Sequence, residues 1–190
     1  MLMAASLTSA RRKPVLLTAL HCLLSLCCLL IPAAGLSAVA PSDSTEDILY
    51  SADGGGSIET VGNVRTTTLR GNVRIQQGLI VIFGDTATLE QDVSSGDLIR
   101  VTVEGEPARF VRNAEDSAET INGSSTRIVY YNQTDTQSNS QVLLSVVEFQ
   151  GQASFTRGRT ALECSQIKHI VETGATDSPG PCSGVLAPIE

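Results

Sequence analysis

The chain has 190 residues and a formal net charge of −7 at neutral pH. All 20 acidic residues but only 10 of the 13 basic ones lie in residues 41–190, so that part carries a net charge of −10. This balance argues against nucleic acid as a partner, because nucleic-acid binding needs a basic surface, and against electrostatic docking on anionic lipid. Its plainest interpretation is solubility.

Residues 1–40 have the order of a secretory signal peptide. Arg11, Arg12 and Lys13 form a positive segment, an uncharged apolar run covers residues 15–31, and Ala38-Val39-Ala40 supplies the small residues of a cleavage site. A retained membrane anchor is the alternative, although the apolar run is short for crossing a bilayer. We expect cleavage and export, and the sequence leaves the position of the cut open.

Strand signals dominate residues 41–172, which we expect to form one all-β domain. Segments rich in β-branched residues alternate with Gly, Asn and Asp, and apolar residues recur at every second position rather than at helical spacing. Period-two spacing places one row of side chains inward and the other outward. The predicted strands are 64–69, 73–75, 79–83, 98–103, 108–111, 126–131, 142–149, 153–156 and 161–171.

A weak internal repeat runs through this domain. Gly71, Gly105 and Gly151 each separate one strand from a second short strand, and further bends are expected at 83–85, 121–123 and 162–165. Glycine permits a bulge or a sharp corner. Corners at matching positions predict long ribbons folded over into two facing sheets. From the glycines alone, ordinary hairpin turns in a β-sandwich are an equal alternative.

Residues 173–190 are rich in Gly, Pro, Ser and Thr and are expected to be coil, or to be ordered only by attachment. Cys164 and Cys182 are the only cysteines beyond the signal segment. In an oxidising exported compartment they are candidates for a disulfide that would attach this tail to the last predicted strand. Two unpaired thiols are the alternative.

The sequence offers no catalytic constellation. Residues 41–190 contain a single histidine, His169, which we interpret as structural or solvent-facing, and Gly54-Gly55-Gly56 lacks the Lys-Ser/Thr ending of a phosphate loop. The acidic residues near the start of the domain, Asp43 and Asp53 among them, lack the spacing of a calcium loop. We therefore predict a protein that is not an enzyme, with no cofactor and no metal.

Five motifs, in their order along the chain, resemble the LptA/OstA family of periplasmic lipopolysaccharide-transport proteins. They are DILYSAD at 47–53, GNVRTTTLRGNVRIQQG at 62–78, FGDTA at 83–87, EGEPARF at 104–110 and VEFQGQASF at 147–155. Each motif is weak alone, whereas their order and spacing together are specific. The resemblance covers about residues 47–172.

The resemblance implies an open β-jellyroll of antiparallel strands in two facing twisted sheets, which holds the lipid A part of lipopolysaccharide between the sheets. It also implies a non-enzymatic periplasmic bridge, assembled head to tail, between an LptC-like inner-membrane protein and the N-terminal domain of an LptD-like outer-membrane protein. The alternatives are an anchored LptC-like relative and a structural or adhesive β-repeat protein without lipid cargo.

Candidate lipid-lining residues come from two sources. The resemblance implies lipid contact at Ile48, Tyr50 and Phe110. The alternation within the predicted strands adds Ile75, Val81, Phe83, Val101, Val103, Ile128, Tyr130, Phe149 and Phe155. For each added residue, plain core packing is the alternative.

An open β stack leaves unpaired strand edges, and such edges are sites for pairing with another chain. We expect the first strand, near residues 48–52, to pair with the last strand of a neighbouring copy, near residues 162–171. A Cys164–Cys182 bond is expected to hold the tail beside the terminal edge and to limit the growth of such assemblies.

Overall fold

The computed structural model describes residue 43 and residues 46–113, 119–135 and 142–188. The predicted signal peptide lies outside these residues. The described residues contain no helix that is long and apolar enough to cross a membrane. They form ten strands: β1 (Ile48–Ser51), β2 (Gly56–Val61), β3 (Val64–Gln77), β4 (Ile80–Asp92), β5 (Leu98–Arg112), β6 (Ile121–Asp135), β7 (Val142–Arg157), β8 (Thr160–Ile170), β9 (Thr176–Asp177) and β10 (Cys182–Val185).

The strands lie side by side in the order in which they occur along the chain, and every pairing is antiparallel. β1 and β2 both pair with β3, on successive stretches of it, so together they act as one interrupted strand, here called the first ribbon. β9 and β10 pair with β8 in the same way and form the last ribbon. The molecule is thus a stack of eight ribbons whose directions alternate.

A line of irregularities crosses the six long strands at matching positions. The ladder breaks between residues 70 and 73 of β3, 83 and 86 of β4, 104 and 108 of β5, 124 and 127 of β6, 150 and 153 of β7, and 164 and 166 of β8. Gly71 and Gly151 have φ values of 78° at two of these breaks, in the left-handed region that glycine adopts without strain. Extra residues on one strand bend it and increase its twist, so this row of bulges is a fold line across the sheet.

The fold line divides the sheet into two half-sheets. The first half-sheet contains β2, β9 and residues 64–70, 86–92, 98–104, 127–135, 142–150 and 166–170. The second contains β1, β10 and residues 73–77, 80–83, 108–112, 121–124, 153–157 and 160–164.

The two half-sheets face each other and share one apolar core. Phe149 of the first meets Phe110 and Phe155 of the second edge to face, with ring centroids 5.7 and 6.3 Å apart. A Cβ atom added at Gly123 of the second half-sheet would collide with the Phe149 ring. Glycine at position 123 is therefore what lets this ring fill the space between the half-sheets.

The predicted all-β fold, an open jellyroll of antiparallel strands in two facing sheets, is confirmed. The glycines at 71, 105 and 151 lie on the fold line, as the repeat predicts. The bend expected at 121–123 is wrong in position, since β6 breaks at residues 125 and 126 instead. The tail is not coil, because residues 176–177 and 182–185 join the sheet.

Replacing Gly123 by Ala tests the contact between the half-sheets. The added methyl group must displace the Phe149 ring from a packed interior, and overpacking of this kind costs about 1–3 kcal/mol. We expect the free energy of unfolding in urea to fall by that amount. Ser124→Ala, on the neighbouring residue of the opposite face, is the control and should change stability much less. Equal effects of the two substitutions would contradict the packing described.

Candidate functional site

Three rows of inward-facing side chains run through the stack from one ribbon to the next. One row of the second half-sheet contains Ile75, Ile82, Phe110, Gly123, Phe155 and Leu162. Two rows of the first half-sheet contain Leu69, Ala87, Val103, Ile128, Phe149 and Ile167, and Thr67, Leu89, Val101, Tyr130, Val147 and His169. Nearly all of these residues are buried, so an apolar strip extends along the whole stack.

The strip is open at both ends of the stack. At one end, register places Tyr50 beside Ile75 and Ile58 beside Thr67, and these two side chains are 50% and 63% exposed. At the other end, the same rows finish at Gly184 and Thr176 of the last ribbon, which are also exposed. The terminal members of each row therefore face solvent although the rows continue inward as core.

Most of the predicted lining residues lie on the inner face. Those in the shared core are Ile75, Val101, Val103, Phe110, Ile128, Tyr130, Phe149 and Phe155. Ile48 is partly buried against this core, and Tyr50 occupies the open end of its row. Contact of these residues with lipid stays a prediction.

Val81 and Phe83 are corrections to the predicted lining. Both lie on the outward row of β4. Val81 pairs with Gln76 and Val111 and is only 6% exposed, but it does not belong to the shared core, and Phe83 is 38% exposed. Ile80 and Ile82, each 1% exposed, face the interior instead. The run Leu79–Phe83 is apolar at every position, so alternation alone could not decide which row points inward.

The space between the half-sheets is closely packed. One void bounded by Ile75, Ile82, Val101 and Tyr130 amounts to about 10 Å³, enough for roughly one water molecule and no acyl chain. Any hydrocarbon that enters between the half-sheets must therefore push their facing side chains apart.

A groove of about 790 Å³ lies along the side of the stack opposite the fold line. Residues from the free margin of each half-sheet form its walls. On one wall are Glu46, Asp47, Ile48, Leu49 and Gln77, and on the other Gln91, Gly96, Asp97, Leu98, Asn132 and Leu143. Because Ile48 and Leu98 also pack against the core, the groove is the open seam through which the interior meets solvent.

The chain leading into β1 is fixed at this seam by an ion pair. Asp43, 7% exposed, accepts a hydrogen bond at 2.9 Å from Nε of Arg112 and another at 2.8 Å from the backbone N–H of Leu79. Gln77 donates to the carbonyl of Glu46 at 2.9 Å. Residue spacing does not predict this contact of Asp43, since its partner Arg112 lies 69 residues away.

Two polar side chains, Tyr130 and His169, are buried in the row of the first half-sheet that begins at Thr67. Burial raises the pKa of Tyr130 to about 12, so its hydroxyl stays protonated. Burial, reinforced by the positive charges of Arg157 and Arg112, lowers the pKa of His169 to about 4. The His169 ring packs at 4.9 Å from Phe155 and its Nδ1 lies 3.0 Å from the Thr176 hydroxyl. Neutral His169 is thus an interior residue that joins the last ribbon to the core.

A disulfide links Cys164 of β8 to Cys182 of β10, directly opposite in the ladder, with Cα atoms 4.2 Å apart. Cys164 is 7% exposed and belongs to the core, whereas Cys182 is exposed. A cross-link over 18 residues stabilises a folded chain by about 3 kcal/mol in the chain-entropy view. The disulfide thus links the exposed strand β10 to a buried residue of β8.

Comparison with known proteins assigns the chain to a class and then to a family. The fold is an open antiparallel jellyroll with an apolar interior, and a family model described as LptA/(LptD N-terminal domain) LPS transport protein matches residues 57–175. Since this match covers more than half of the chain, the protein belongs to the LptA/LptD N-terminal domain family of lipopolysaccharide-transport proteins. No curated protein sequence matches the chain significantly.

Solved structures agree with the fold. One of those that match is the crystal structure of LptH, the LptA-homologous periplasmic component of the lipopolysaccharide transport device of Pseudomonas aeruginosa. The two sequences are 22% identical, the match covers 78% of this chain and 100% of that chain, and the TM-score is 0.60. At this identity the similarity establishes the fold alone.

The depressed pKa of His169 makes stability depend on pH. Between pH 4 and 6.5 the unfolded chain binds a proton that the folded chain does not, so the free energy of unfolding falls as pH is lowered through this window. The loss attributable to His169 is about 3 kcal/mol, and none is expected above pH 6.5.

Urea unfolding at several pH values measures this effect, with His169→Phe as the control that keeps an aromatic ring but cannot titrate. The slope of stability against pH between 4 and 6.5 should be shallower in the variant. Parallel curves for the two proteins would show that His169 is not buried in its neutral form.

Proposed function

We propose that this protein is a non-enzymatic periplasmic carrier that holds the lipid A acyl chains of lipopolysaccharide between its half-sheets. In this proposal it assembles head to tail and bridges an LptC-like protein of the inner membrane to the N-terminal domain of an LptD-like protein of the outer membrane. Membership of a lipopolysaccharide-transport family supports the cargo class. The observation that carries the proposal is the apolar strip, which runs through the stack and is open at both ends.

The strip suits acyl chains physically. Each methylene removed from water contributes about 0.8 kcal/mol, so a row of apolar side chains can shield a fatty acid without any single strong contact. The rows offer Val, Ile, Leu and Phe, together with the uncharged polar groups of Tyr130 and His169. Many small contacts also allow release, since a chain can slide from one residue to the next along a row.

Entry of cargo requires the half-sheets to separate, because the interior is packed without it. The fold line provides a hinge, since the ladder is already interrupted there on every long strand. The seam provides the opening, with sugar and phosphate groups remaining in the solvent-filled groove. The acidic residues of the groove, Glu46, Asp47 and Asp97, would lie near those phosphates, so divalent cations from solvent would favour the complex.

Head-to-tail assembly would use the first and last ribbons as its two edges. The expectation that a neighbour pairs with residues 162–171 needs correction, because the last ribbon already occupies the outer edge of β8. The free edges of the described residues are therefore those of 48–61 and 176–185. Both ribbons consist almost entirely of exposed residues.

A photo-reactive amino acid tests cargo binding. p-Benzoylphenylalanine at Phe110, which faces the interior, should form covalent adducts with lipopolysaccharide on irradiation in cells, because acyl chains pass this row. The same residue at Val111, which faces outward one position along β5, is the matched control and should form few adducts. Equal labelling at both positions, or labelling at Val111 alone, would contradict transport between the half-sheets.

A further inference from the structure

Apart from its disulfide, the last ribbon is held to the stack by polar contacts. These are its two short ladders to β8, the contact between Thr176 and His169 at 3.0 Å, and a 2.6 Å hydrogen bond from the Ser178 hydroxyl to the Gln166 carbonyl. All side chains of β9 and β10 are exposed, so the ribbon buries no side chain of its own. The first ribbon is bridged across its break by three backbone hydrogen bonds of 2.7–3.0 Å, between 53–55 and 70–71. The break of the last ribbon contains Pro179 and Pro181, which have no N–H to donate, and its one backbone bond there is 3.4 Å long. Ordering such a segment costs conformational entropy, and the disulfide lowers this cost by restricting the unfolded chain.

The direction of the last ribbon matters for assembly. Ribbon directions alternate through the stack, so β8 runs in the same direction as the first ribbon and the last ribbon runs opposite to both. A second copy that placed its first ribbon on a bare β8 would have to pair in parallel. If the first ribbon of the second copy pairs with the last ribbon instead, the pairing is antiparallel, like every other pairing in the stack.

The inward rows define a single register for this contact. Tyr50 and Ile58 end two rows on the first ribbon, and Gly184 and Thr176 end the same two rows on the last ribbon. Each pair of residues is separated by eight positions, so one antiparallel register places Tyr50 opposite Gly184 and Ile58 opposite Thr176 at the same time. Directly opposite residues share a face. Both inner rows would then continue from one copy into the next.

We propose that the Cys164–Cys182 disulfide builds the assembly edge of this protein, by holding the last ribbon in place to receive the first ribbon of a second copy in this register. The inference rests on the head-to-tail assembly proposed above. It reverses the expectation that the bonded tail limits growth: with the bond broken, the ribbon frays and the assembly edge is lost while the rest of the stack stays folded.

Sedimentation velocity over a range of protein concentrations measures the role of the bond. Oxidised protein should form concentration-dependent oligomers, whereas Cys164→Ala/Cys182→Ala should need at least tenfold more protein to associate. Reduction of the folded wild-type protein should have the same effect and reoxidation should reverse it. Circular dichroism checks that the sheet persists. Association that is equal or stronger without the bond would overturn the inference.

A mixing experiment identifies the occupant of the edge. Ile58→Glu places a carboxylate at the end of an inner row on the first ribbon but leaves the last ribbon intact, so this variant should not self-associate. The cysteine-free variant has the complementary defect. A mixture of the two should form one-to-one dimers and nothing larger. Ser57→Glu, with the same charge on the outward row, is the control and should assemble like the wild-type protein.

The outcomes separate this inference from the proposed function. Oxidised protein that remains monomeric at every concentration would remove the proposed head-to-tail assembly itself. Oxidised protein that assembles while the mixture stays monomeric would show that the last ribbon does not receive the first ribbon. Cross-linking of lipopolysaccharide at position 110 should persist in the cysteine-free variant, because the interior rows do not depend on the last ribbon.

Discussion

The period-two alternation of side chains, kept in phase on both sides of the fold line, is the constraint on which the rest of this structure depends. Each long strand presents apolar residues inward before its bulge and again after it. A bulge adds residues to one strand and leaves its partner unchanged, so it bends the sheet at that point. Across the fold line the inward row changes between odd and even residue numbers on β4, β5, β6 and β8, and keeps its parity on β3 and β7. On each strand the break therefore contains the number of residues that keeps the apolar row inward, since a shift by one residue would turn the polar row to the core.

The same constraint explains how far the sequence predicted the fold. Gly71 and Gly151 mark the fold line because glycine permits their left-handed conformation, whereas Gly105 marks it because an added Cβ atom would lie 3.2 Å from Cα of Gly84. Two strand segments were not predicted. Residues 56–61 follow a run of glycines, and residues 86–92, with the sequence TATLEQD, contain few apolar residues. Their strand character comes from pairing with β3 and β5.

The candidate site was predictable where alternation is clear and not where it is absent. Alternating segments correctly placed four residues on the inner face, namely Val101, Val103, Ile128 and Tyr130. In the uniformly apolar segment 79–83, the row predicted to face inward is the one that faces outward. The anchoring of Asp43 by Arg112 and the burial of His169 depend on contacts between distant parts of the chain, which residue spacing does not encode. The last ribbon joins the sheet through a cross-link and short ladders to β8, which local propensity does not encode.

A packed interior and a lipid cargo are compatible only if the half-sheets open along the seam. Spin labels at Leu49→Cys and Leu143→Cys, exposed positions on opposite walls of the groove, report the width of that seam. The distance between them, measured by double electron–electron resonance, should lengthen when lipopolysaccharide is added and stay unchanged with the free core oligosaccharide, which has no acyl chains. An unchanged distance in the presence of bound lipopolysaccharide would contradict transport through the interior.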